Sequence, residues 1–272
     1  MHILITDSGV GGLSVVAYAE RFVRTQGFTE PVRLTFANAA PANDYGYNSM
    51  PSREVKIETF DRFLRNVTER FASDMIYVAC NTLSVLLPEV TVPAKGIIET
   101  GERRLRDALS PDAVALIFAT QTTTDADTYP RLLREHGIDA ARIVSQACPG
   151  LADTISEDRE GSRTRVEIQR WVDIAKAKMP QSDAPIVACL ACTHYGYRKD
   201  FFAAALGDDA TVIDPNESAV GDLFTTGGAS HDVDVQFFTR YAIPETTQEA
   251  LTFFLSEISP RTVEAMRNFA LF

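Results

Sequence analysis

Two cysteines share one local pattern. Cys80 closes the run Met75-Ile76-Tyr77-Val78-Ala79 and is followed by Asn81-Thr82, and Cys192 closes Ile186-Val187-Ala188-Cys189-Leu190-Ala191 and is followed by Thr193-His194. An apolar run ended by a polar turn is what a buried parallel strand looks like, and open α/β sheets bind their ligands beyond the carboxyl ends of such strands. Each thiol is therefore expected to face a site. Two thiols acting on one substrate from opposite sides can take a proton from one face of a carbon and return one to the other, which inverts a stereocentre. A cysteine at a strand end is more often a small core hydrophobe, but the repeated polar follow-up sets these two apart. His194, two residues past Cys192, can hold a proton near neutral pH. Asp7, at the end of another strand of the same lobe, is the analogous neighbour for Cys80.

The elements that must position these groups alternate along the chain. Short apolar runs predict strands over 2–6, 32–37, 74–79, 113–119, 142–146, 185–191, 210–214 and 234–238. Between them lie helical patterns, clearest over 52–71, where Ile57, Phe60, Leu64, Val67 and Phe71 recur on one face. Strand and helix alternating in this way predict an α/β fold of two pseudo-symmetric, doubly wound lobes with mainly parallel sheets and the active site in the cleft between them. Pro93 and Gly96 punctuate one crossing and Gly207-Asp208-Asp209 the other, so the first lobe is expected to comprise 1–95 and 208–272 and the second 96–207.

Asp7-Ser8-Gly9-Val10-Gly11-Gly12 joins the first strand to a helix through Leu13–Arg24. Such a turn can offer backbone N–H groups to an anion, but Ser14 stands where a dinucleotide fingerprint needs its third glycine, and there is no phosphate-loop Gly-Lys-Ser/Thr. Thr120 to Thr124 closes another strand with hydroxyls suited to a carboxylate, or simply opens a helix. Cys189 and Cys192 have the spacing of a redox or zinc pair, yet no second such pair exists and both lie in a strand-like run, which argues against a metal.

Composition narrows the partners. With 37 acidic against 26 basic residues the formal charge is −11, and no basic cluster stands out, so nucleic acid is not an expected ligand. No apolar stretch reaches membrane-spanning length and the start is too short for a secretory signal, which predicts a cytoplasmic protein with reduced thiols and no membrane contact.

Taken together, Asp7-Ser8-Gly9-Val10-Gly11-Gly12-Leu13-Ser14, Tyr45-Gly46, Ala79-Cys80-Asn81-Thr82, Gly96-Ile97-Ile98-Glu99, Ala119-Thr120 with Thr123, Gln146-Ala147-Cys148-Pro149, Cys192-Thr193-His194-Tyr195 and Ile213-Asp214 resemble, in the family's order, the cofactor-independent aspartate/glutamate racemase superfamily, and its glutamate branch above all. The resemblance implies an isomerase that needs neither pyridoxal phosphate nor metal and makes a D-amino acid for peptidoglycan. Carried over, Cys80 and Cys192 are the acid/base thiols, with Asp7 and His194 handling their protons. Ser8, Tyr45, Gly46, Asn81, Thr82, Thr123 and Thr193 fall where the family holds a small amino-acid substrate. The resemblance leaves a homodimer open. Aspartate, a hydantoin or another carboxylate remain alternative substrates, and a binding protein without turnover is a third reading, against which both thiols argue. Three departures bear on substrate choice. Asn38 stands for the family's Asp, Asp44 for its Pro, and Ser156 for its Glu. Asp44 is expected to bring a carboxylate to the pocket rim and so to weaken glutamate binding, an effect that proline at this position should reverse.

Overall fold

Ten strands alternate with helices among the described residues, 1–180 and 183–272, of the computed structural model. They are β1 (His2–Asp7), β2 (Val32–Asn38), β3 (Met75–Val78), β4 (Lys95–Gly96), β5 (Val114–Ala119), β6 (Ile143–Ala147), β7 (Ile186–Ala191), β8 (Thr211–Ile213), β9 (Val233–Thr239) and β10 (Ala270–Leu271). Each of the eight runs expected as strands forms one. The contacts divide the chain into two units, Met1–Ile97 with Asn216–Phe272, and Ile98–Pro215.

The first unit holds a six-stranded sheet in the order β10-β9-β2-β1-β3-β4, and every named pairing in it is parallel. Its central strand is buried on both faces, with Ile3, Leu4 and Ile5 fully excluded from water, which is why it reads as continuous apolar sequence rather than as alternation. Phe36 of β2 faces Phe237 of β9 in register, their rings meeting edge to face at 5.2 Å. The helix Leu13–Gln26 buries Leu13, Val15, Val16, Ala19 and Val23. The helix Arg53–Phe71 is capped by Ser52, whose hydroxyl accepts from the Val55 N–H at 3.4 Å, and buries Phe60, Phe63, Leu64 and Val67.

The second unit holds a four-stranded parallel sheet in the order β6-β5-β7-β8. β8 pairs with β7, and this unit accordingly runs to Pro215.

Both sheets are wound alike. In each, the chain leaves the first strand for one side and then crosses to the other, giving β2-β1-β3-β4 in one and β6-β5-β7-β8 in the other. The winding reverses between β1 and β3 and between β5 and β7. A reversal of this kind parts the helices at the carboxyl ends of the two strands and leaves a crevice there for a ligand. Cys80 follows β3 and Cys192 follows β7, so each thiol lies at its own sheet's reversal.

Candidate active site

In the first unit, Thr6 pairs with Val78, and the Ala79 N–H donates to the Thr6 carbonyl at 2.9 Å. Two residues on, the register brings Ser8 opposite Cys80. The Ser8 hydroxyl and the Cys80 Sγ are 3.1 Å apart, a hydrogen bond in which either can donate. Asp7 is 1% exposed, and its Oδ1 accepts the Gly9 N–H at 3.0 Å. The glycine-rich turn serves this carboxylate. A Cβ on Gly12 would come within 2.8 Å of the Asp7 Cβ, 2.9 Å of its Oδ2 and 3.1 Å of the Ala79 Cβ, so only glycine lets the helix start against the strand ends.

Cys80 is buried, and that burial, together with the Asp7 charge, pushes its thiol up to about 12. Hydrogen bonds from the Ser8 hydroxyl and from the backbone of Ser8 and Leu83 pull the other way without overcoming it. At neutral pH the ligand-free Cys80 is therefore a protonated thiol. Asn81 and Thr82, both 2% exposed, open the short helix Asn81–Ser84 that follows it. Tyr47, which sequence reasoning did not single out, is fully buried and donates to the Ala39 carbonyl at 3.4 Å. Burial above all, then the Cys80 sulfur, raise its phenol, against the pull of Arg240 and Arg62.

In the second unit, Ala119 pairs with Ala191, and one residue on Thr120 stands opposite Cys192. Thr120 caps the helix Gln121–Asp125, its hydroxyl accepting from the Thr123 N–H at 3.3 Å and meeting the Thr123 hydroxyl at 3.1 Å. Cys192 and Thr193 are buried and His194 is half-buried. The fully buried Tyr195 anchors the segment after Cys192, its hydroxyl reaching the Cys148 carbonyl at 3.2 Å and the Ala119 carbonyl at 3.4 Å. Burial and the neighbouring sulfurs of Cys192 and Cys148 raise this phenol well above its ordinary range, so it remains a donor.

The remaining residues singled out by sequence sit in other surroundings. Tyr45 is 40% exposed and Asp44 is exposed, both in the turn in which the Tyr45 N–H meets the Ala42 carbonyl at 3.4 Å. A Cβ on Gly46 would meet nothing within 4 Å. Ser156 spends its hydroxyl on the Ala152 carbonyl of its own helix, at 3.0 Å. Cys189 points into the second unit's core, where burial and the Asp214 charge push it up to about 12 against a hydrogen bond from Tyr129. Among the described residues no group of three or more His, Cys, Asp or Glu could hold a metal ion, and no helix is long and apolar enough to cross a membrane.

Comparison with known proteins places this fold. No family model matches the chain. It is similar to the glutamate racemase of a Nitratiruptor species, 28% identical over 226 residues that make up 80% of this chain and 81% of the relative. The glutamate racemase of a Jannaschia species is 31% identical over 237 residues, 78% of this chain and 80% of the relative. Among solved structures, the glutamate racemase from Aquifex pyrophilus superposes with a TM-score of 0.68 at 26% identity, covering 94% of this chain and 95% of that one. Identity of this level over most of both sequences carries more than a shared fold: the chain belongs to the glutamate racemase family.

Proposed function

We propose that the protein is a glutamate racemase that interconverts L- and D-glutamate by proton transfer at Cα between two thiols, and that it supplies D-glutamate for peptidoglycan. The observation that carries this reading is the cluster of Cys80, Ser8 and the buried Asp7 at the reversal of the first sheet, in a chain of this family.

A Cα proton is a very weak acid, so a thiolate needs fixed donors around the developing enediolate and exclusion of water. From L-glutamate, the Cys192 thiolate takes the Cα proton and the Cys80 thiol delivers its own to the opposite face. From D-glutamate the roles reverse. A protonated Cys80 in the ligand-free protein is ready for the first direction. For the second, the substrate ammonium stabilises the thiolate against the burial that, more than the Asp7 charge, holds the thiol up, and Asp7 takes the thiol proton. His194 does the same for Cys192. Ser8, Asn81, Thr82, Thr123 and Thr193, with Tyr45 and Gly46 at the rim, are assigned to the carboxylates and ammonium of the substrate.

The test is deuterium exchange at Cα. Protein dialysed against chelator and free of pyridoxal absorbance is incubated in D2O with L- and D-glutamate and L- and D-aspartate, and loss of the Cα–H signal is followed by NMR. Exchange of both glutamate enantiomers, with growth of the opposite one, is expected. Exchange of aspartate alone would move the assignment to another acidic substrate. A reaction that starts only on adding metal or pyridoxal phosphate would overturn the two-thiol mechanism.

A further inference from the structure

Asn38 closes β2 beside Asp7 of β1 and, one step beyond the Ala37–Phe238 pair, opposite Thr239 of β9. It is fully buried, and the orientation of its amide is fixed by the backbone, because the Ala40 N–H donates to Oδ1 at 3.0 Å. Its Nδ2 then faces two hydroxyls, Thr239 Oγ1 at 3.3 Å and Tyr241 Oη at 3.0 Å. The Thr239 hydroxyl in turn donates to the Tyr241 carbonyl at 3.3 Å.

These bonds have a direction. The Tyr241 oxygen accepts from Asn38, so its own proton points elsewhere, and among the described residues it meets no acceptor. Burial raises this phenol above its ordinary range and the Asp7 carboxylate adds to the effect, against the pull of the Asn38 hydrogen bond. Tyr241 is thus a neutral, oriented donor within electrostatic reach of Asp7, at the carboxyl end of the sheet that carries Cys80.

An α-amino acid carries a cation and an anion on one carbon. A buried carboxylate beside a neutral O–H donor matches that pair, the carboxylate for the ammonium and the donor for the carboxylate. We propose that Tyr241, oriented by Asn38, donates a hydrogen bond to a carboxylate oxygen of the amino-acid substrate. Tyr241 is the binding residue and Asn38 a positioning residue that acts through it. Asparagine at position 38 matters chemically. A carboxylate there could not donate to the phenol and would accept its proton, leaving none for substrate.

This inference rests on the racemase reading, and kinetics of glutamate racemisation test the two separately. For Tyr241→Phe the KM for glutamate is expected to rise about tenfold, the scale of one hydrogen bond to a charged group, with kcat within about twofold. Asn38→Ala should raise KM by a similar factor, and should add nothing once Tyr241 is already Phe. An unchanged KM in Tyr241→Phe, or a loss confined to kcat, overturns the role of the phenol. Additive losses in the double variant overturn the positioning role of Asn38. Absence of glutamate turnover in the wild type would instead refute the racemase reading, and this inference with it.

Discussion

Cys80 and Cys192 end equivalent strands of two similarly wound sheets, yet their surroundings differ. At the reversal of the first sheet, the neighbouring strand ends in Asp7-Ser8, so a buried carboxylate and a hydroxyl come to Cys80 from across the sheet. At the reversal of the second, the equivalent strand ends in Ala119-Thr120, which carries no charge, and the candidate proton carrier His194 belongs to the segment that follows Cys192 itself. The backbone plan is the same in both units and the titratable neighbours of the thiol are not. An anion beside a buried thiol favours S–H, whereas an imidazole can take either state near neutral pH. Two-base exchange at one carbon needs one sulfur with a proton and one without, and unequal partners supply that difference where symmetric ones would not.

Removing either thiol is the most severe way to break this comparison. Cys80→Ser and Cys192→Ser are each expected to lower net racemisation by roughly 10³-fold or more, and Asp7→Asn and His194→Asn by roughly 10²- to 10⁴-fold. The two enantiomers are equal in free energy, so kcat/KM must fall by the same factor in both directions. The asymmetry shows instead in deuterium exchange without inversion. Cys80→Ser and Asp7→Asn should spare exchange from L-glutamate relative to D-glutamate, and Cys192→Ser and His194→Asn should do the reverse. Equal exchange from both enantiomers in all four variants would mean that the thiols do not serve separate faces.

Most of the frame was legible because buried parallel strands announce themselves as apolar runs with polar ends. The strands missed, β4 and β10, have two residues each, too few to show any period. The carboxyl-end rule that singled out Cys80 and Cys192 applies equally to β9, whose end carries Thr239-Arg240-Tyr241, yet nothing local distinguishes that tyrosine. Its relevance depends on the pairing of β9 with β2, which brings residues some two hundred positions apart to Asn38. Glu20 was equally hidden. It is fully buried within an otherwise amphipathic helix and is accommodated only because Arg24, at 3.0 Å, and Arg261, at 3.9 Å, reach it.

Alkaline pH separates burial from charge as the cause of the raised thiols. Cys80 and Cys189 are pushed up to about 12 and Cys148 is raised as well, in each case chiefly by burial. An unfolded thiol loses its proton near 8.5 while the folded one keeps it. The stability these groups contribute is therefore fully present below about pH 8.5 and is lost as pH rises toward 12, by roughly 1.4 kcal/mol per pH unit for each thiol. Urea midpoints measured at pH 8 and pH 10.5 should fall less for Cys189→Ser than for the wild type. Asp7→Asn should recover only part of the Cys80 contribution, since the carboxylate is the smaller of its two causes. A wild-type slope unchanged in Cys189→Ser would show that this thiol titrates at its ordinary value.

Asp44 provides the smallest effect and asks where in the first unit charge selects the substrate. The sequence favours this residue because it adds an anion just before Tyr45-Gly46, but it is exposed, in contrast to the buried Asp7. A charge in water is screened by solvent and salt, so Asp44→Ala is expected to change the KM for glutamate by no more than about threefold, and by less at high ionic strength. Proline is not the reversal that the sequence suggests. Asp44 is the third residue of the turn from Ala42 to Tyr45, where proline drives the residue before it out of the helical region. Asp44→Pro should therefore disturb Tyr45 and leave KM unimproved. A tenfold lower KM for Asp44→Ala, at low and high salt alike, would show Asp44 to be in contact with the substrate, and selection in this unit would no longer belong to its buried carboxylate alone.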